Sequence, residues 1–172
     1  MNDYGEALDA RTIRFRRMLP GPIERVWEYL TDSKLRGTWF ASGPMEPREG
    51  GALMLFFRHQ DFAIGETIPA KYKEMENGIT MESRVTPWDP PRHLAYEFGG
   101  ESVVHFELEP RGNDVLLTLT QRDIASRDEM IDVCGGWHSH LDVLGQRLRN
   151  EPIGPFWASI ERYEREYPVR IP

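Results

Sequence analysis

The stretch SRDEMIDVCGGWHSHLDVLGQRLRN, residues 126–150, decides how this chain reads. Ser126 followed three residues later by Glu129 is a capping-box pattern, in which serine oxygen and glutamate carboxylate satisfy each other's orphan backbone donors. Met130, Cys134, Trp137, Leu141, Leu144 and Leu148 then recur at spacings of four and three. That is one continuous apolar stripe along a long helix. Gly135-Gly136 weakens it, at about 1 kcal/mol per glycine relative to alanine. Such a pair implies that another backbone or a ligand comes close, or that the helix kinks. A helix of this length with one apolar face needs a broad apolar partner surface.

The segments upstream supply that surface. In residues 12–18, Ile13 and Phe15 alternate with Arg14 and Arg16, the pattern of a half-buried strand. Pro20-Gly21-Pro22 ends it, and proline suits the first turn of a following helix. Ile23, Val26, Trp27 and Leu30 mark an amphipathic helix. Thr31-Asp32-Ser33 then caps a short second helix that ends near Gly37, before Trp39-Phe40. From Gly43 to Asp123 short apolar runs sit between turn residues. Strands are expected at 52–59, 68–76, 79–85, 92–98, 102–109 and 115–122. Asn77-Gly78 reads as the hairpin turn joining the second and third of these. Asp89-Pro90-Pro91, Gly99-Gly100 and Gly112-Asn113-Asp114 are further turns, so the series reads as an antiparallel meander. Residues 150–155 form a break. Phe156, Ile160, Tyr163 and Tyr167 then mark a tail helix ending before Pro168. The expected fold class is α+β: an antiparallel sheet of about six to seven strands gripped by the long helix, with two short helices after strand one. Residues 1–150 form the domain, and residues 151–172 a tail packed on it.

Composition narrows the function classes. The 172 residues are 40% apolar and 28% charged, a globular balance. The net charge of −7 repels phosphate backbones, and no basic run offsets it, so nucleic acid is not an expected partner. One cysteine, Cys134, excludes an intrachain disulfide. No Cys/His cluster or HExxH pattern suggests a metal, and no glycine-rich phosphate loop or serine elbow suggests a cofactor or nucleophile. Without a signal core or a long apolar run, a cytoplasmic protein with no membrane partner is expected.

Four segments resemble the START-like (SRPBCC) superfamily with its helix-grip fold, and within it the family of homologues of the heat-shock-protein-90 ATPase activator. RRMLPGPIERVWEYLTDSKLRGTWF, residues 16–40, is similar to the opening strand, proline turn, "VW" helix and following tryptophan. EPREGGALMLFF, residues 46–57, resembles two strands joined at Gly50-Gly51. VTPWDPPRHLAYEF, residues 85–98, and GGWHSHLDVLGQRL, residues 135–148, resemble the Asp-Pro-Pro-Arg segment and the final helix with its Gly-Trp pair. The match spans about residues 11–150, and order and spacing carry it rather than any single motif. Phe40 stands where many relatives carry a second tryptophan, and Gly43-Pro44 comes later than in their pattern.

The resemblance implies a cavity between sheet and helix, taking a small hydrophobic or amphipathic ligand. Trp39, Phe40, Phe56, Trp88, Tyr96, Phe98, Trp137, His138 and Leu141 are the candidate lining residues. For each aromatic, ordinary core is the competing role; Trp39, Phe40 and Trp88 lie beside turns, where a cavity mouth would be. His138 and His140 are two apart and cannot form an i, i+4 metal pair. His105 lies in a strand whose buried face is ambiguous, because Val104, Phe106 and Leu108 form the more apolar set. Glu82 and Glu97 interrupt apolar-leaning strands, with a solvated outer face as the bland reading. Arg17 matches a family arginine, either as a structural ion pair or as an anchor for an anionic head group. Cys134 reads as a small buried hydrophobe. No catalytic residue can be assigned. Two alternatives to ligand binding stay open: a co-chaperone-like interaction module, and a cavity enzyme of cyclase, dehydratase or hydrolase type. The eukaryotic activator has an additional N-terminal domain that this chain is expected to be too short to include. A homodimer is left open.

Overall fold

The computed structural model describes residues 2–172. Seven strands form one antiparallel sheet: β1 (Glu6–Asp9), β2 (Thr12–Pro20), β3 (Ala52–Phe57), β4 (Ile79–Asp89), β5 (His93–Glu97), β6 (Val103–Arg111) and β7 (Asp114–Arg122). Their order across the sheet is β1-β2-β7-β6-β5-β4-β3. Among the described residues four α-helices complete the fold: α1 (Ile23–Thr31), α2 (Ser33–Gly37), α3 (Arg127–Leu148) and α4 (Phe156–Glu166). This is the α+β helix-grip architecture, with α3 as the gripping helix.

Strand periodicity places the core. Ile13, Phe15, Arg17 and Leu19 of β2 are buried on one face, and Val104, Phe106 and Leu108 of β6 join them. Their period of two puts the alternate residues outside. His105 therefore faces out, where its Nδ1 lies 3.0 Å from Nε2 of His93 on β5. Glu82 and Glu97 are exposed on the outer side as well. All six stripe residues of α3 are buried against the sheet and its neighbours. Ser126 Oγ accepts the Glu129 amide at 3.2 Å, but the Glu129 carboxylate receives the Ala125 amide rather than the serine's own. Helix α3 ends before Asn150, whose φ of 54° places it in the left-handed region favoured just past a helix C-terminus.

The expected hairpin at Asn77-Gly78 does not form. Strand β4 pairs with β3, from Ala52↔Arg84 to Phe57↔Ile79. Residues 68–76 contain a 3₁₀ helix, Ala70–Met75, instead of a strand. The physical reason is visible in which side chains turn inward. Within it Tyr72 and Met75 are half-buried while Ala70, Lys71, Lys73 and Glu74 are exposed, a spacing of three that belongs to a helical turn and not to a pleat. The first strand, β1, was not expected; it is four residues long and three of them are exposed, so no alternation announces it.

The tail packs back on α3. Gly135 lies against α4: a Cβ there would lie 3.3 Å from the flexible Glu164 Cγ and 3.7 Å, an ordinary van der Waals contact, from the Glu164 amide. At Gly136 nothing lies within 4 Å of where a Cβ would sit. The two glycines therefore differ: one faces a neighbouring helix and the other borders open space.

Helix α4 has no side-chain cap of its own. Its first amides are capped from a distance by Glu66, whose carboxylate accepts from Phe156, Trp157 and Ala158 at 2.6, 2.9 and 3.3 Å. A carboxylate there also meets the positive end of the helix dipole. Glu66→Ala is expected to cost about 1–2 kcal/mol in urea unfolding and to speed amide exchange at residues 156–158. Unchanged exchange at those amides would show that the cap is unimportant.

Candidate functional site

A cavity of about 370 Å³ lies between the sheet and helices α3 and α4. Helix α3 contributes Asp132, Val133, Gly136, Trp137 and His140, which share one helical face. The sheet side is Phe57 of β3, Ile79 and Met81 of β4, and Phe98 just past β5. Phe40 enters from the segment after α2, and Trp157 and Ile160 from α4. His59, Tyr72 and Met75 come from the connection between β3 and β4. Asp132, whose side chain is 55% exposed, marks the rim.

The wall is aromatic and interlocked. Phe40 stacks on Trp137 with centroids 4.9 Å apart, and Phe57 meets Phe40 edge-on at 5.0 Å. Tyr72 stacks on Trp157 at 5.3 Å. Phe40 owes its position to two polar neighbours. Arg36 is fully buried and donates to the carbonyls of Thr31, Ala41 and Gly43, so the turn containing Phe40 is wound around one guanidinium. Trp39 donates its indole N–H to the Tyr29 carbonyl at 2.8 Å. The fork of five fixed donors on arginine suits this task, as an ammonium would not.

The connection between β3 and β4 is clasped over the cavity. Lys71 Nζ pairs with Asp132 at 2.8 Å and Glu164 at 3.0 Å, and the Tyr72 hydroxyl donates to Glu164. One lysine and one tyrosine thus tie this segment to both α3 and α4.

Two histidines are set in the apolar wall, with ring centroids 5.6 Å apart. Burial pushes His59 down to about 4 and His140 to about 3, the latter also repelled by His59. Both are neutral at physiological pH. His140 Nδ1 lies 2.7 Å from the Trp39 carbonyl oxygen. A carbonyl can only accept, so Nδ1 carries the proton and Nε2 is a bare acceptor. His59 Nδ1 is buried with no hydrogen-bond partner in the protein.

Of the candidate residues, the structure brings Phe40, Phe98 and Trp137 together at this cavity. The other six lie elsewhere. Trp39 is buried behind Phe40, stacked on it at 5.4 Å. Phe56 points to the outer face, over Gly78, because Leu53, Leu55 and Phe57 hold the inner positions of β3. Trp88 packs edge-on against Trp27 at 5.2 Å. Tyr96 is core, beside Phe106. Leu141 is buried on another side of α3, next to Arg17 and Asp142. His138 faces the tail, stacked 3.6 Å from Tyr163 and bonded to the Tyr167 hydroxyl at 2.9 Å. On a helix, two residues separate His138 from His140 by about 200°, so only one of them can face the cavity. Arg17 is buried and lies 3.7 Å from Asp142. Cys134 is fully buried, and burial pushes its thiol up to about 12, so no thiolate forms. Sequence reasoning missed His59, Met75 and Trp157 as cavity residues. Trp157 sits one position past Phe156 on the tail helix, and that adjacency was the available signal.

The family model described as activator of Hsp90 ATPase homolog 1-like protein matches residues 20–149. The chain belongs to this family. The match to the Hsp90-activator-homologue family therefore runs from the end of β2 to the close of α3, with α4 beyond it. A protein of Bordetella parapertussis solved by NMR is 40% identical to the chain, over 98% of this chain and 91% of its own, with TM-score 0.85. CalU16 from Micromonospora echinospora shares the fold at 22% identity, over 98% of this chain and 94% of its own, with TM-score 0.66. DynU16, a protein of the dynemicin biosynthetic locus, does so at 19% identity over 84% of this chain and 49% of its own, with TM-score 0.63. No curated protein matches. Among the described residues, no helix is long and apolar enough to cross a membrane, and no group of His, Cys, Asp or Glu could hold a metal ion.

Proposed function

We propose that this protein binds a small hydrophobic molecule in the cavity between its sheet and helices α3 and α4. The observation that carries the reading is the cavity of about 370 Å³, walled by Phe40, Phe57, Phe98, Trp137 and Trp157. Apolar walls of this kind supply affinity, and a few polar groups fix orientation. Large exposed apolar side chains are otherwise scattered. Leu8, Met18, Phe56, Ile64 and Val169 sit on five separate segments, which favours the cavity over a co-chaperone-like docking face.

Gly136 offers the test. A side chain there grows into open space at the cavity wall, so Gly136→Leu is expected to fill the site. It also removes a helix glycine, worth about 1 kcal/mol, so the variant stays folded. Fused-ring hydrocarbons titrated against tryptophan fluorescence should quench the wild type and weaken at least about tenfold for the variant, the scale of a lost apolar contact. Equal titration curves for both proteins would refute binding at this site.

The histidines favour one second reading. The bare Nε2 of a neutral His140 inside an apolar cavity can take a proton from a bound substrate. Recovering the bound compound unchanged after prolonged incubation argues against the cavity enzyme; a rearranged or dehydrated product argues for it.

A further inference from the structure

Apart from Asp132 at the rim and a Tyr72 hydroxyl already bonded to Glu164, the polar groups of the cavity wall are two imidazoles, and one of them defines what the ligand must carry. We infer that the site selects a flat, neutral aromatic molecule bearing a hydroxyl group, which donates to Nε2 of His140 and lies against His59. The inference rests on the cavity-binding reading above and names the ligand class for that site.

The Trp39 carbonyl holds the His140 Nδ1 proton at 2.7 Å, so the remaining polar atom of that ring is an acceptor with a lone pair. An acceptor in an apolar wall discriminates strongly. It rewards a ligand O–H or N–H and is left unpaired by an isostere that lacks one. The neighbouring ring shapes the contact. His59 is 4% exposed, its Nδ1 is buried without a partner, and the ring lies 5.6 Å from that of His140 and 5.0 Å from Trp157. A ligand hydroxyl on Nε2 of His140 therefore packs beside a neutral aromatic ring.

Charge then excludes the commonest polar ligands. Both imidazoles are neutral at physiological pH, burial being the cause. The cation nearest the rim, Lys71, is already paired with Asp132 and Glu164. A carboxylate entering here would meet an acceptor lone pair and acidic neighbours, and it would lose its hydration. A flat ring suits walls that are themselves built of stacked rings, Phe40 on Trp137 and Tyr72 on Trp157.

Three probes of one shape separate the possibilities: 1-naphthol, 1-methylnaphthalene and 1-naphthoate, titrated at neutral pH by calorimetry. Naphthol is expected to bind at least about fivefold tighter than methylnaphthalene, the scale of one net hydrogen bond, and naphthoate weakest of the three. In His140→Phe the ratio of naphthol to methylnaphthalene affinity should fall to about one, whatever the change in each. Because that residue is buried, a second readout keeps the wild type sufficient. In histidine nitrogen NMR spectra, the His140 Nε2 resonance should start as an unprotonated nitrogen and shift with naphthol but not with methylnaphthalene. Equal affinity of naphthol and methylnaphthalene, or a protonated Nε2, overturns this inference and leaves cavity binding standing. Failure of naphthol and methylnaphthalene alike overturns both.

Discussion

Acidification from pH 6.5 toward pH 4 is expected to unfold this protein through its buried histidines. Burial holds His59 at about 4 and His138 and His140 at about 3, against an ordinary value of 6.5. His138 is further depressed by Arg17, Arg162 and Arg170. The unfolded chain therefore binds protons on these rings at a pH where the folded chain does not. Stability is complete above about 6.5 and falls as pH drops through the window down to the folded values. At about pH 5 each ring costs on the order of 2 kcal/mol, and three rings together rival the whole stability of a domain. Asp142 works in the opposite sense, because burial raises its carboxyl above the usual range. Its protonation on acidification favours the folded state and opposes part of the loss. Urea unfolding at neutral pH and near pH 5 measures the difference. His138→Phe and His140→Phe should each flatten the dependence. A free energy unchanged across that interval would show that these rings are solvated.

Trp137→Ala is expected to cost about 3–5 kcal/mol, the range for removing a large buried aromatic. Trp137 is 2% exposed and packs against Phe40, Phe98 and Phe106. Its indole N–H donates to Gln121 Oε1 at 2.6 Å, Gln121 donates to Ser102 Oγ, and Ser102 donates to the Arg122 carbonyl. The change thus opens the cavity floor and strands a buried amide oxygen. Trp137→Phe separates the two effects. It keeps most of the packing and loses the hydrogen bond, so it should cost about 1–3 kcal/mol. Chemical denaturation of the three proteins should give that order. A loss near zero for the alanine variant would mean that α3 does not depend on this side chain to hold the sheet.

The gripping helix was legible because its stripe is local. Met130 through Leu148 repeat at helical spacing, and every one of the six is buried. The segment at 68–76 misled because Asn77-Gly78 is a strong hairpin signal, although Tyr72 and Met75 already carried the helical spacing that the structure shows. Strand β3 was placed but its parity was not. With Leu53, Met54, Leu55, Phe56 and Phe57 all apolar, alternation is silent, and only pairing with β4 puts Phe57 inside and Phe56 outside.

The sequence by itself determined the α+β class, the order of elements apart from β1 and residues 68–76, and the face of α3 that meets the sheet. Those follow from periodicity, capping and turn residues, which act over a few positions along the chain. Only the tertiary structure decided which side chains share the cavity. His59, Tyr72 and Trp157 reach it from a connection and a tail that pack against α3 through Gly135, the Glu66 cap and the Lys71 ion pairs. The choice of His140 over His138 was decided there too: both lie on one helix, and what distinguishes them is that Trp39 stands on one side and Tyr163 on the other.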